Sequence, residues 1–220
     1  MIDFDHLVLW LADPRTSSFW YDISRYKHNG RVYGCKVHPA GGFNFPGNNE
    51  YIDLRPFGPG VTPNAFTIEF VMKSRMPQGV TQNSFILRPE NGTVLNRYEV
   101  LFRNGERVVL GLHNGDTYSY VSYTIPDAQS KIHVIHCTFE ADVTQQIWVN
   151  GVLREESAPA FSGGIGYSDR YFLVGYQGWT GSDDYFYNGI IYELAIYNKR
   201  ESEEYIKMRA DYLRGKYGFD

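Results

Sequence analysis

Apolar and polar residues alternate along much of this chain with a period of two, the spacing that sends successive side chains to opposite faces of a pleated strand. The clearest run is a meander. It goes from Arg97 to Arg103, turns at Asn104-Gly105, continues from Arg107 to Leu112, turns at Asn114-Gly115 and returns through Tyr118 to Ile125. Further strands are predicted at His133 to Glu140, Gln146 to Val149, Tyr171 to Tyr176 and Ile190 to Tyr197. Six Asn-Gly pairs, beginning at Asn29, Asn91, Asn104, Asn114, Asn150 and Asn188, punctuate the pattern. Both residues accept the positive φ angles of a tight hairpin at little cost, so each pair reads as a turn. No internal repeat and no low-complexity tract interrupts this order.

The period changes only near the end. Ile206, Ala210 and Leu213 fall on one helical stripe. Ser202 is placed to cap the start, Glu203 and Glu204 sit at the positive end of the helix dipole, and Arg209, Arg214 and Lys216 gather toward the other end, with a stop predicted at Gly215. The helix is expected to pack back on the strands with Tyr205, Met208 and Tyr217 at its margins. One β-sandwich over residues 1–200 and a packed helix over 201–220 then account for the whole chain.

Size and composition agree with a single all-β unit: 220 residues, 16% aromatic, 22 Gly and 10 Pro, with only 21% charged. The formal net charge of -4 argues against nucleic acid as a partner, because phosphate binding needs clustered Lys and Arg. No stretch approaches the roughly 20 apolar residues of a membrane span, and no basic segment followed by an apolar run marks an export signal. Strand-like sequence begins soon after Met1, the expectation for a complete protein made in the cytosol. Cys35 and Cys137 are too few for a disulfide framework or a zinc site. Each shares strand parity with apolar neighbours, Tyr33 and Val37 in one case and Ile135 and Phe139 in the other, so two buried free thiols are expected.

Several segments carry a resemblance. The strand Ile147-Trp148-Val149-Asn150-Gly151, followed by Tyr187-Asn188-Gly189-Ile190-Ile191-Tyr192-Glu193-Leu194-Ala195-Ile196-Tyr197-Asn198, is similar to the closing strands of the laminin-G-like, concanavalin A-like jelly-roll superfamily. Leu7 to Leu11 and Tyr21 to Gly30 resemble its opening strand and loop. Phe43 to Leu54 and Phe66 to Lys73 resemble two of its core strands, and Tyr212 to Gly218 a frequent tail. The resemblance implies an all-β, two-sheet antiparallel jelly-roll sandwich with a short C-terminal helix. It also implies a structural calcium site, of which Asp22, Asn29 and Glu193 are the surviving ligands; Tyr192 stands where an Asp is expected, so calcium dependence should be weak or absent and no cofactor is required.

Glycoside hydrolases of this fold carry a Glu-x-Asp-x-Glu strand whose carboxylates flank the scissile bond. No such triplet occurs, Glu50 and Asp53 point to opposite faces of a strand, and a non-enzyme is expected. His133 and His136 also fall on opposite faces, one packed and one exposed, which argues against a metal pair. Ser162 to Gly166 lacks the Lys and helix of a phosphate loop, and Asn91-Gly92-Thr93 reads as a turn. The candidate ligand site is the segment from Tyr176 to Tyr185, with Tyr176, Trp179, Asp183, Asp184 and Tyr185, because aromatic faces beside carboxylates suit sugar rings. Trp179 folded as a lid over the sandwich edge is the competing reading. Tyr118, Tyr120 and Tyr123 form a second aromatic strand, equally well explained by cross-strand packing. The role implied is a non-catalytic, virion-associated surface protein, of a phage capsid or tail, with a glycan or host-surface partner and contacts to other virion proteins or to itself. The alternative is a stand-alone carbohydrate-binding module at a cell surface or outside the cell.

Overall fold

A computed structural model of the chain describes residues 2–12, 14, 16–54, 64–76, 83–89, 96–115, 117–165, 172–176 and 186–219, with 83–89, 96 and 97 described by their backbone only. In chain order the strands are β1 (Leu7–Leu11), β2 (Phe19–Trp20), β3 (Gly30–Tyr33), β4 (Lys36–Val37), β5 (Phe43–Pro46), β6 (Tyr51–Asp53), β7 (Ala65–Ser74) and β8 (Asn83–Pro89). There follow β9 (Asn96–Arg103), β10 (Arg107–Asn114), β11 (Thr117–Thr124), β12 (His133–Glu140), β13 (Thr144–Val149), β14 (Val152–Ser157), β15 (Phe172–Val174), β16 (Asn188–Tyr197) and the helix α1 (Glu203–Tyr217). They form two antiparallel sheets. One runs β14-β13-β12-β7-β16-β5-β4, with β1 also paired to β16; the other runs β11-β10-β9-β8-β15-β6-β3-β2.

The predicted meander is β9-β10-β11, and its first turn is built as expected, with Asn104 at φ 55° and Gly105 at φ 74°. Asn150 at φ 54° and Gly151 at φ 77° close the β13-β14 hairpin in the same left-handed way. The pairs at Asn29 and Asn188 are not turns, since Gly30 opens β3 and Asn188 opens β16. The run from Phe43 to Leu54 is not one strand either. β5 lies in the first sheet and β6 in the second, and the corner between them is held by Glu50, whose Oε2 accepts from the backbone N–H groups of Gly47, Asn48 and Asn49 at 3.0, 2.9 and 3.3 Å.

The core lies between the sheets. β7 turns Phe66, Ile68, Phe70 and Met72 inward, where Phe66 meets Tyr98 at 4.5 Å and Phe139 at 5.4 Å between ring centres. Both cysteines are buried and free. Cys137 shares its face with Ile135 and Phe139 as expected, but Cys35 sits in the crossover from β3 to β4, so Tyr33 and Val37 belong to different sheets and strand parity does not explain its burial.

The outer face of the first sheet is covered by α1. Ser202 caps it through its hydroxyl to the Tyr205 N–H, and Ile206, Ala210 and Leu213 are buried beneath it. Ala210 and Leu213 pack on Val71, Val134, Ile190 and Tyr192. The helix runs past Gly215 to Tyr217 and ends at Gly218, which takes the left-handed conformation with φ 65°. A bulge in β16 between Ile191 and Glu193 lets both Ile191 and Leu194 face the core, and so turns Tyr192 and Glu193 toward the helix side together.

Candidate functional site

The second sheet carries a row of stacked aromatic rings on its outer face. In the β3-β6 ladder Val32 pairs with Ile52 on the core side, so Tyr33 and Tyr51, paired one step along, point outward. Their rings stack at 4.6 Å and 16°. Tyr51 meets Tyr176 at 5.5 Å, and Tyr176 stacks on Phe186 at 4.7 Å and 10°. The Arg31 guanidinium lies 5.2 Å over Tyr33. All four rings are half-buried. The corner bound by Glu50 immediately precedes Tyr51 and fixes where the row crosses β6. A row of this kind offers apolar surface with phenol hydroxyls at its edges, the combination that holds a sugar ring by stacking and hydrogen bonding together.

Of the sequence-predicted ligand residues, Tyr176 therefore belongs to an aromatic array. Trp179, Asp183, Asp184 and Tyr185 lie outside the described residues, in a segment that leaves the row at Tyr176 and rejoins it at Phe186. The sequence reading missed Tyr33, Tyr51 and Phe186 as members of a site. Tyr33 and Tyr51 are not neighbours in sequence and meet only because the chain leaves the second sheet after Tyr33, runs through β4 and β5 of the first, and returns just before Tyr51. Tyr118 and Tyr120 stack at 5.7 Å, His113 meets Tyr118 at 4.3 Å and Arg154 lies over Tyr123, so these tyrosines pack locally on β10, β11 and β14.

The expected calcium ligands separate into two groups. Asp22 and Asn29 come together, with the Asp22 N–H donating to Asn29 Oδ1 at 2.9 Å. Asp22 Oδ1 accepts from the Trp10 and Ser24 N–H groups, and Oδ2 from Ser24 Oγ and the His28 N–H, so this carboxylate organises its own turn. Glu193 lies elsewhere. Its Oε1 accepts from Trp10 Nε1 at 2.8 Å and from Arg209 at 3.2 Å; its Oε2 accepts from Lys216 Nζ and the Tyr217 hydroxyl, each at 2.9 Å. A hard cation needs several oxygens turned inward, whereas these oxygens face N–H and O–H donors and two cations. The donor set does not fit calcium.

Glu193 instead belongs to a sealed ion cluster. Arg209, nearly fully buried at 2% exposure, donates its Nε to Glu69 Oε2 at 3.0 Å and its Nη2 to both Glu69 Oε1 and Glu193 Oε1. His136 Nε2 donates to Glu69 Oε2 at 3.0 Å. Burial alone would raise the Glu69 carboxyl, but the Arg209 guanidinium and the His136 bond hold it at about 2. Two carboxylates do share one sheet face here, yet both lie fully buried under α1 and are consumed by cations. They cannot flank a glycosidic bond as acid and nucleophile. The same cover corrects the histidine reading. His136 and His133 point to opposite faces of β12 as parity requires, but both are buried, because the helix seals the face that would otherwise meet solvent.

The Concanavalin A-like lectin/glucanases superfamily profile, of laminin-G type, matches residues 46–207, and the chain belongs to that superfamily. No curated protein matches it by sequence. Among solved structures it is similar to botulinum neurotoxin type C, whose cell entry depends upon interaction with two ganglioside molecules, at 16% identity and TM-score 0.74, covering 96% of this chain and 52% of that one. It is similar to the binding domain of botulinum neurotoxin DC, in complex with rat synaptotagmin II, at 15% identity and TM-score 0.75, covering 96% and 52%. The serotype D binding domain matches at 15% identity and TM-score 0.75, covering 94% and 52%. The chain spans about half the length of these chains, and the likeness is one of fold. Among the described residues no helix is long and apolar enough to cross a membrane.

Proposed function

We propose that this chain is a non-catalytic recognition module that binds glycan at a cell or virion surface through the row Tyr33-Tyr51-Tyr176-Phe186 and the adjoining segment with Trp179, Asp183, Asp184 and Tyr185. The observation that carries the reading is the row itself: four half-buried rings in continuous contact, from the Tyr33-Tyr51 pair of β3 and β6 to the Tyr176-Phe186 bridge. The superfamily contains lectins, and the similar type C toxin interacts with gangliosides, which supports a saccharide as partner. Placement on a virion rests on a second surface, where Phe4, Met208 and Tyr212 are exposed at the margin of α1 and suit contact with another subunit.

A glycan array with parallel light scattering tests both parts. Trp179→Ala and Tyr33→Ala should each reduce glycan binding at least tenfold, while in Tyr33→Ala the melting temperature falls by no more than about 3 °C, the cost of trimming a half-buried ring in a chain of this size. Unchanged glycan binding in both variants would remove the row from consideration. A strictly monomeric protein that also fails to bind purified virions would sink the virion placement and leave the glycan module.

A further inference from the structure

Where the β11 edge of the second sheet meets the β12-β13-β14 edge of the first lies a small polar cleft that the aromatic row does not use. It has a volume of about 150 Å³ and is lined by Tyr123, Asp127, Lys131, His133, Asn150 and Arg154, among others. Its floor is His133, buried at 4% exposure, with Nδ1 accepting from Asn150 Nδ2 at 3.3 Å and Nε2 facing Asp127 Oδ1 at 3.2 Å. Burial lowers the His133 pKa against the pull of Asp127, so the ring is a neutral hydrogen-bonding floor at pH 7. On one lip Lys131 is paired with Asp127 at 3.1 Å. On the other, the exposed Arg154 guanidinium lies 5.6 Å over the Tyr123 ring, and no carboxylate among the described residues pairs with it.

We propose that this cleft binds the carboxylate of an acidic sugar, with Arg154 as its principal ligand. Three features converge. Arg154 is placed at the lip by its contact with Tyr123, 5.6 Å from the ring centre, and its planar fork matches a carboxylate with two parallel N–H donors. The two lip cations outnumber the one carboxylate, in a chain whose net charge is -4, so an anion is drawn here rather than to the surface at large. The volume admits one charged group, not a whole ligand. Asn150, with a second amide hydrogen beyond the one given to His133, can bond a hydroxyl beside that group. The assignment rests on the glycan reading above and gives it a second, separate subsite, since β11 lies five strand positions from β6 in the sheet.

The test is an NMR titration of the whole chain with glucuronic acid, N-acetylneuraminic acid, glucose and glucose 6-sulfate. The carboxylated sugars should shift the signals of Tyr123 and His133, with affinity falling at least tenfold in Arg154→Gln and less in Lys131→Gln, and weakening as salt rises. Tyr33→Ala should leave this titration unchanged, which separates the cleft from the aromatic row. Equal response to glucose, response to the sulfate alone, no response to either acid, or an undiminished response in Arg154→Gln would each overturn the assignment, while array binding through Tyr33 and Trp179 could still stand.

Discussion

The two sheets treat their outer faces in opposite ways. The first hides its face under a helix and places there two carboxylates, a guanidinium, an ammonium and an imidazole, all bonded to one another. The second leaves its outer aromatic rings half-buried and gives them each other as neighbours. Polar groups sealed from water must find partners within the protein, so the covered face is rigidly specified. Aromatic rings at the surface carry no such demand, because the ring itself loses little by contact with water on one side. Charge on the covered sheet face is thus spent on internal partners, whereas the exposed part of the second sheet is the surface to which the proposed glycan role is assigned.

The largest effect expected from breaking this contrast is at Arg209. Arg209→Ala leaves Glu69 and Glu193 buried without their shared cation, a change that costs about 3–5 kcal/mol in comparable buried pairs, and a melting temperature about 10 °C lower is expected by calorimetry. A loss no greater than that of a surface substitution would show that the covered face is not specified by its charges. The cluster should also weaken as pH falls. Glu69 is held at about 2, below its ordinary 4.5, so its contribution is complete above pH 4.5 and disappears as the pH drops through 2.

A smaller effect, of opposite sign, is expected at the junction of β16 and α1. Burial pushes the Glu201 carboxyl up to about 7 despite the neighbouring Lys199. Because the folded pKa exceeds the unfolded one, the contribution of Glu201 is complete below pH 4.5 and is lost as the pH rises through 7. Glu201→Gln should therefore raise the melting temperature by about 5 °C at pH 8 and change it little at pH 4.5. An equal gain at both pH values would show that desolvation is not the cause.

The smallest effect concerns calcium. Melting temperatures in excess chelator and in millimolar Ca²⁺ should agree to within about 1 °C, whereas a micromolar site would add about 4 kcal/mol at that concentration. A large shift would mean that ligands other than Asp22, Asn29 and Glu193 assemble a site.

How much of this was legible in the sequence depended on how local the cause was. The β9-β10-β11 meander was readable because its first turn is made by its own Asn-Gly pair, the second begins where the Asn114-Gly115 signal falls, and each strand pairs with its neighbour. The break between β5 and β6 was not, because apolar spacing continues through Gly47 to Glu50 while the chain changes sheets. The stop at Gly215 failed for a similar reason. A mid-helix glycine is only modestly unfavourable, and the next residues are worth including, since Tyr217 packs on Tyr192 and bonds Glu193. In the candidate site Tyr176 was proposed from the aromatic and acidic residues that follow it, and the structure sets its ring against Tyr51 and Phe186. Its partners Tyr33 and Tyr51 were not legible, because no local pattern says which strands a crossover will set side by side.

The union of Arg209 with Glu69 spans 140 positions of the chain, and this has a consequence for assembly. During synthesis Glu69 on β7, and later Glu193 on β16, are made before the residue that neutralises both. Until α1 leaves the ribosome, the central strands must keep that face wet, and the sandwich cannot reach its final state. The helix also rests on the Asn150-Gly151 turn, where a side chain at Gly151 would meet the Ala210 Cβ at 3.1 Å. An element made after the strands of both sheets is thus the one that locks hairpin, ion cluster and sheet together, and completion of this fold is tied to arrival of α1 rather than to formation of the sheets.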